Sequence, residues 1–170
     1  MQARLVMGFR TDIAFGDARS LPLAVWNSFF GSGPFSRLFR EVREKHSLAY
    51  YCSSHADQSK GVLFVQAGTD GSACDRVERL VRRQMGEMER GNVSLDELRA
   101  AKAYLKANVL STTDSPSRIA AFFQERRAIG SHVDLHQILR RIERVRRPEV
   151  CAAGATLVPD TYYRLTRGTA

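Results

Sequence analysis

The run Gly31-Ser32-Gly33-Pro34 is followed by a segment whose apolar period changes, and that change restricts the fold more than any other feature. Gly31 and Gly33 break whatever precedes them. Pro34 suits a first helical position, where its missing N–H would have been unpaired anyway. Phe35, Leu38, Phe39 and Val42 then recur at i, i+3, i+4 and i+7, the spacing that buries one helical stripe. Arg37, Arg40, Glu41 and Glu44 fall on the other side, where Arg37/Glu41 and Arg40/Glu44 are spaced to pair one turn apart. Arg43 comes out beside the Phe39 edge of the stripe, so it can reach along a protein surface. After Ser47 the period becomes two, with Leu48, Tyr50 and Cys52 on one face and Ala49, Tyr51 and Ser53 on the other. A helix end thus feeds a strand, and the side chains of Arg43 and Tyr50 can converge at the junction.

The rest of the chain fits around this unit. Residues 2–10 alternate, with Ala3, Leu5, Met7 and Phe9 on one face, which predicts a strand with one side buried. Leu21, Ala24, Val25 and Phe29 predict a helix entered through Ser20 and Pro22 and closed by Gly31. His55 to Lys60 reads as a polar turn ending at Gly61, and Val62 to Ala67 as a strand antiparallel to the one carrying Tyr50. Val77, Leu80, Val81, Met85 and Met88 mark a long helix that ends at Gly91-Asn92. Ser94-Leu95-Asp96-Glu97 is a capping box opening the next, with Leu98, Ala101, Leu105 and Val109 inward. A helix from Pro116 carries Ile119, Phe122, Phe123 and Ile129 and stops at Gly130. Leu135, Ile138, Leu139, Ile142 and Val145 define another, and Pro148 starts a short one. Pro159-Asp160 reads as a turn before a last strand, Thr161 to Leu165. Strands at both ends and in the middle, with helices gathered in the second half, predict an α+β fold: an antiparallel sheet covered mainly on one face by helices.

At 170 residues, 44% hydrophobic and 26% charged, the chain can form one core, and a single domain over 1–170 is expected. No apolar run approaches the roughly 18–20 residues that span a bilayer, and no signal-like leader opens the chain, so a cytoplasmic protein without membrane contact is expected. Cys52, Cys74 and Cys151 are odd in number and widely spaced, which predicts neither a disulfide framework nor a zinc knuckle. The net charge of +8 raises nucleic acid as a partner. Arg79, Arg82, Arg83 and Arg90 are interleaved with Asp75, Glu78, Glu87 and Glu89, however, as on a solvated helix face. The denser run Arg140, Arg141, Arg144, Arg146 and Arg147 comes with no nucleic-acid motif, so that partner is not expected.

Arg43-Glu44-Lys45-His46-Ser47-Leu48-Ala49-Tyr50, with Ser36-Arg37-Leu38-Phe39 and the Gly-rich turn before it, resembles the second, non-zinc half of insulinase-type (pitrilysin, mitochondrial processing peptidase) zinc metallopeptidases. The resemblance runs from the first strand to Tyr162-Tyr163-Arg164-Leu165. It implies the same α+β architecture with about four main strands, and a longer protein in which such a unit is repeated. It also implies that Arg43 and Tyr50 reach a peptide substrate bound at the zinc of another half, and that zinc belongs to this partner domain or subunit. Gly31 and Gly33 either bring their backbone close to an extended peptide, since glycine allows such approach, or simply turn the chain.

The chain itself lacks His-x-x-Glu-His, in which two histidines bind metal and the Glu handles the proton of the attacking water. Its histidines are His46, His55, His132 and His136. His132 and His136 are four apart on an expected helix, but Leu135 precedes His136 and no Glu lies between them. No metal ligands are therefore expected. Two functions fit: the substrate-binding, transition-state-supporting half of a zinc peptidase, inactive alone, or an inactive scaffold or peptide-binding subunit of the same architecture.

Overall fold

A computed structural model describes residues 2–128, 130 and 133–166. Four strands, β1 (Ala3–Arg10), β2 (Ala49–Asp57), β3 (Val62–Thr69) and β4 (Val158–Leu165), form one antiparallel sheet in the order β2-β3-β1-β4. The alternation read from residues 2–10 holds: Ala3, Leu5, Met7 and Phe9 point into the core. The register continues that buried face across neighbouring strands. Leu5 stands opposite Ala67, which faces Cys52, and Met7 opposite Val65, which faces Ser54.

Helices cover this face. They are α1 (Ser20–Asn27), α2 (Cys74–Glu89), α3 (Leu95–Leu110), α4 (Pro116–Ala128), α5 (Leu135–Arg144) and α6 (Arg147–Gly154). α1 brings Leu23, Val25 and Trp26 to the sheet, and π-helical turns at Ser28–Ser32 and Phe39–Lys45 add Phe29, Phe30 and Val42. Leu38, just ahead of the second of these turns, is fully buried with them. α2 contributes Val77, Val81, Met85 and Met88, as its period predicts, and α5 contributes Ile138 and Ile142. The Ser94 capping box forms as read. The expected architecture, an antiparallel sheet with helices mainly on one face, is the one observed.

Several local expectations are corrected. β2 does not give way to a turn at His55 but runs to Asp57, because Ser53 and His55 fall on its solvent side opposite Gln66 and Phe64. The turn is tighter: Asp57 Oδ1 accepts the N–H of Ser59 at 3.1 Å and of Lys60 at 3.3 Å, and Gly61 takes φ +63°. Pro159-Asp160 is part of β4, at the sheet edge where a missing N–H costs no ladder bond. α4 buries none of its described side chains; Ile119 and Phe122 are half-buried and Phe123 is exposed. Ile129 and His132 lie outside the described residues.

The second face of the sheet carries Val6, Val62 and Phe64, half-buried, beside the exposed Val158, Tyr163 and Leu165 of β4. Among the described residues no helix is long and apolar enough to cross a membrane.

Candidate functional site

The site sits where the π-helical turn Phe39–Lys45 hands over to β2. Its helix starts at Arg37 rather than Pro34, since Ser36 N–H donates to Gly33 O at 3.0 Å and closes a turn with Pro34 at the position whose φ proline pre-sets. Ser36, fully buried, then caps the helix by accepting the Phe39 N–H at 3.4 Å. At the other end Ser47 takes φ 48°, the left-handed conformation. Its N–H donates to Arg43 O and that of Leu48 to Val42 O, so the helix is closed and the chain reversed within two residues. Thr69 Oγ1 donates to Leu48 O and ties the junction to the end of β3.

One step further the sheet register slips. Ala49 pairs with Thr69 and Tyr51 with Gly68, which leaves Tyr50 as the extra residue of a β-bulge. This corrects the two faces expected for the strand. Ala49, Cys52 and Ser54 are buried, while Tyr50 is 63% exposed and Tyr51 40%. A bulge re-aims a side chain, and here it turns the Tyr50 phenol out of the sheet's regular alternation and towards solvent.

Arg43 is exposed as well, and its guanidinium carbon lies 4.9 Å from the centre of the Phe39 ring, the edge of the stripe to which the helical period assigns it. Arg43, Ser47, Leu48, Ala49, Tyr50 and Asp70 line one open depression. The two side chains picked out by sequence therefore line one surface depression, and Asp70 joins them.

The helix carrying Arg43 is anchored by a contact that local reading missed. Arg37 does not pair with Glu41 in water. It is 8% exposed and bonds both oxygens of Glu97 at 2.9 Å, while donating to Asn92 O. Arg40 adds a bond to Glu97 at 3.2 Å, and Glu41 pairs with Lys45 instead. Burial alone would raise the Glu97 pKa; the hydrogen bonds from Arg37 and from its own capping box outweigh it and hold the carboxyl at about 2. No local pattern signals this pair, because its partners lie on different helices.

Gly31 and Gly33 are buried. A Cβ on Gly31 would meet Ser54 Oγ, come within 2.7 Å of Ser54 N and 2.8 Å of Leu38 Cδ1, so this glycine lets the π-helical turn press against β2. A Cβ on Gly33 would come within 2.7 Å of Ser28 O. Between them Ser32 O accepts the Tyr104 hydroxyl at 3.0 Å, and Phe35 meets the Tyr104 ring edge-on.

The described residues assemble no zinc site. His46 closes the helix, His55 stands on β2 and His136 on α5, all exposed, and no group of three or more potential ligands gathers among the described residues.

Comparison with known proteins gives this geometry a context. A model of the family described as "Peptidase M16 inactive domain" matches residues 1–105. The Bacillus subtilis protein named "Probable inactive metalloprotease YmfF" is 32% identical over 164 residues, 96% of this chain and 38% of that relative. "Uncharacterized zinc protease YmxG", also from Bacillus subtilis, is 26% identical over 166 residues, 95% of this chain and 40% of the relative. The crystal structure of a conserved protein from Enterococcus faecalis superposes with a TM-score of 0.93 at 30% identity, over 99% of this chain and 40% of that one. The chain thus spans about two fifths of the length of these relatives.

Proposed function

This chain belongs to the M16 peptidase inactive-domain family, and we propose that it is the substrate-binding, transition-state-supporting half of a zinc peptidase. The observation that carries this reading is the shared depression of Arg43 and Tyr50. Neither side chain is used up by the fold: Arg43 forms no ion pair among the described residues, and the phenol of Tyr50 projects from a bulge. A guanidinium presents fixed donors to a peptide carbonyl, and a phenol donates to an oxygen as negative charge grows on it in the transition state. Losing one such donor costs roughly a hundredfold in rate. Gly31 and Gly33 are buried, and their close packing fixes the path of the loop ahead of the Arg43 helix.

Zinc and the remaining catalytic groups belong to a partner half, in the same longer protein or in another subunit. Three observations support a partner: relatives about two and a half times longer, a relative named a zinc protease, and apolar surface left open on β4 and α4. The free thiols Cys52, Cys74 and Cys151 favour the cytoplasm as the working compartment. A catalytically inactive scaffold is the second reading, and the relative named an inactive metalloprotease favours it. Co-expression of the chain with a zinc-bearing half, followed by peptide binding and cleavage assays, separates the two. Cleavage by the pair supports the first reading, and binding without cleavage the second.

A further inference from the structure

A polar cleft of about 610 Å³ opens at the end of β2 away from Tyr50, between the end of α1, residues 55–57 of β2 and α3. It shares no lining residue with the depression of Arg43 and Tyr50, so binding here is independent of the role proposed for that pair. Its volume falls within the roughly 300–1,000 Å³ usual for small-ligand sites. We propose that it binds a neutral secondary carboxamide, the group of a peptide bond, between Asn27 and Tyr104.

Asn27 ends α1 and is only 8% exposed. Its Oδ1 accepts the hydroxyl of the buried Ser54 at 2.6 Å, which fixes the plane of the amide. Its Nδ2 donates no hydrogen bond among the described residues, and the side chain lines the cleft. Buried donors are nearly always paired, so one that is held in place and left over points to a ligand acceptor. Tyr104, on α3, supplies the complementary group. Its hydroxyl donates to Ser32 O at 3.0 Å, and Phe35 packs edge-on against its ring. The hydrogen is therefore committed, and the oxygen remains as a positioned acceptor.

The rest of the lining favours a neutral ligand. Although the chain is strongly basic, no Lys or Arg among the described residues lines the cleft. Its one carboxylate, Asp57, is bound by Lys60 at 3.1 Å and by Ser59. The other polar groups are hydroxyls, amides and the His55 imidazole. Phe15, Ala24 and Leu105, each half-buried, add apolar surface. One fixed donor and one fixed acceptor beside apolar walls match a group with one carbonyl and one N–H. The Asn27 amide donates to the carbonyl, and the Tyr104 oxygen accepts the N–H.

The test titrates the isotope-labelled full chain with N-methylhexanamide, with its ester isostere methyl hexanoate, and with the blocked peptide acetyl-trialanine N-methylamide. The side-chain amide signals of Asn27 are followed in two-dimensional NMR spectra. N-methylhexanamide is expected to move those signals saturably and to bind about fivefold more tightly than the ester, which lacks the N–H, the scale of one net hydrogen bond. In Tyr104→Phe that preference should disappear. Tighter binding of the peptide than of N-methylhexanamide supports the proposal with a peptide as the source of the amide, and weaker binding supports it with a small amide. Asn27 signals that respond to neither amide overturn it, as does an ester that binds the unchanged chain as tightly as the amide. A preference that survives in Tyr104→Phe overturns it too. If Tyr104→Phe does not fold, the amide-to-ester ratio on the unchanged chain decides alone.

Discussion

Arg37 bonds both carboxylate oxygens of Glu97 at 2.9 Å across 60 residues of sequence, and so fastens the helix that carries Arg43 to the capping box of α3. The pair lies largely out of water, with side chains 10% and 18% exposed. One carboxylate thus closes α3 by accepting the Ser94 N–H and also receives Arg37 and Arg40.

Arg37→Ala leaves that carboxylate without its main partner in a place where water cannot fully replace it. It is expected to cost about 3 kcal/mol, the scale for removing one member of a buried pair, read as a lowered denaturant midpoint in urea unfolding. Arg40→Ala, whose side chain is 52% exposed, should cost under about 1 kcal/mol. Equal losses for the two would refute the anchoring role.

The same pair sets an acid limit on stability. Glu97 is held at about 2, against an ordinary 4.5 in the unfolded chain, so the folded state favours the ionised form. Its contribution is complete above the unfolded value and disappears as pH falls from 4.5 towards about 2. Over that window the chain should lose on the order of 2 kcal/mol through this group, and Glu97→Gln should flatten the pH dependence there. Unfolding free energies measured at stepped pH for both proteins check this.

Gly31→Ala tests the packing of the loop ahead of the site. The added methyl meets Ser54 and Leu38 inside the core, and overpacking of this kind costs about 1–3 kcal/mol. Gly91→Ala meets nothing within 4 Å but sits at φ +80°, so it should cost about 1 kcal/mol through the backbone alone. Thermal midpoints should fall further for Gly31→Ala.

The elements that sequence conveys are those whose cause is local. β1 and β3 alternate, α2 repeats its apolar residues every three to four positions, and Ser94 with Glu97 spells out a capping box. What escaped reading has a distant cause. A 3.6 period does not reveal that the turns at Ser28–Ser32 and Phe39–Lys45 widen to π-helix, and a period of two cannot place a bulge, so it puts Tyr50 on the face of Cys52 although Tyr50 is itself the extra residue of the bulge. Arg37 reads as solvated because Glu97 is remote in sequence. Arg43 and Tyr50 were legible as a pair from their motif, whereas Asp70 enters the depression only through the closing of β3 against β2.

Cys52 gives a chemical check of the core. Burial pushes its thiol up to about 12, and the thiolate is the reactive form. In the folded protein at neutral pH it should resist iodoacetamide and become labelled only in denaturant, as peptide mass mapping would show. Labelling of native Cys52 at the rate of a free thiol would contradict the observed packing beside Ala67.

The central claim is that Arg43 and Tyr50 serve the transition state of a reaction completed by a zinc-bearing half. The most direct measurement is kcat/KM for peptide cleavage by the assembled halves, with the original chain, Arg43→Ala and Tyr50→Phe, alongside thermal midpoints for each. Tyr50→Phe, which removes one exposed hydroxyl, should lower kcat roughly a hundredfold while leaving the midpoint unchanged, and Arg43→Ala should lower kcat/KM by at least as much. Unchanged turnover in both variants, with both chains folded and assembled, would contradict the account.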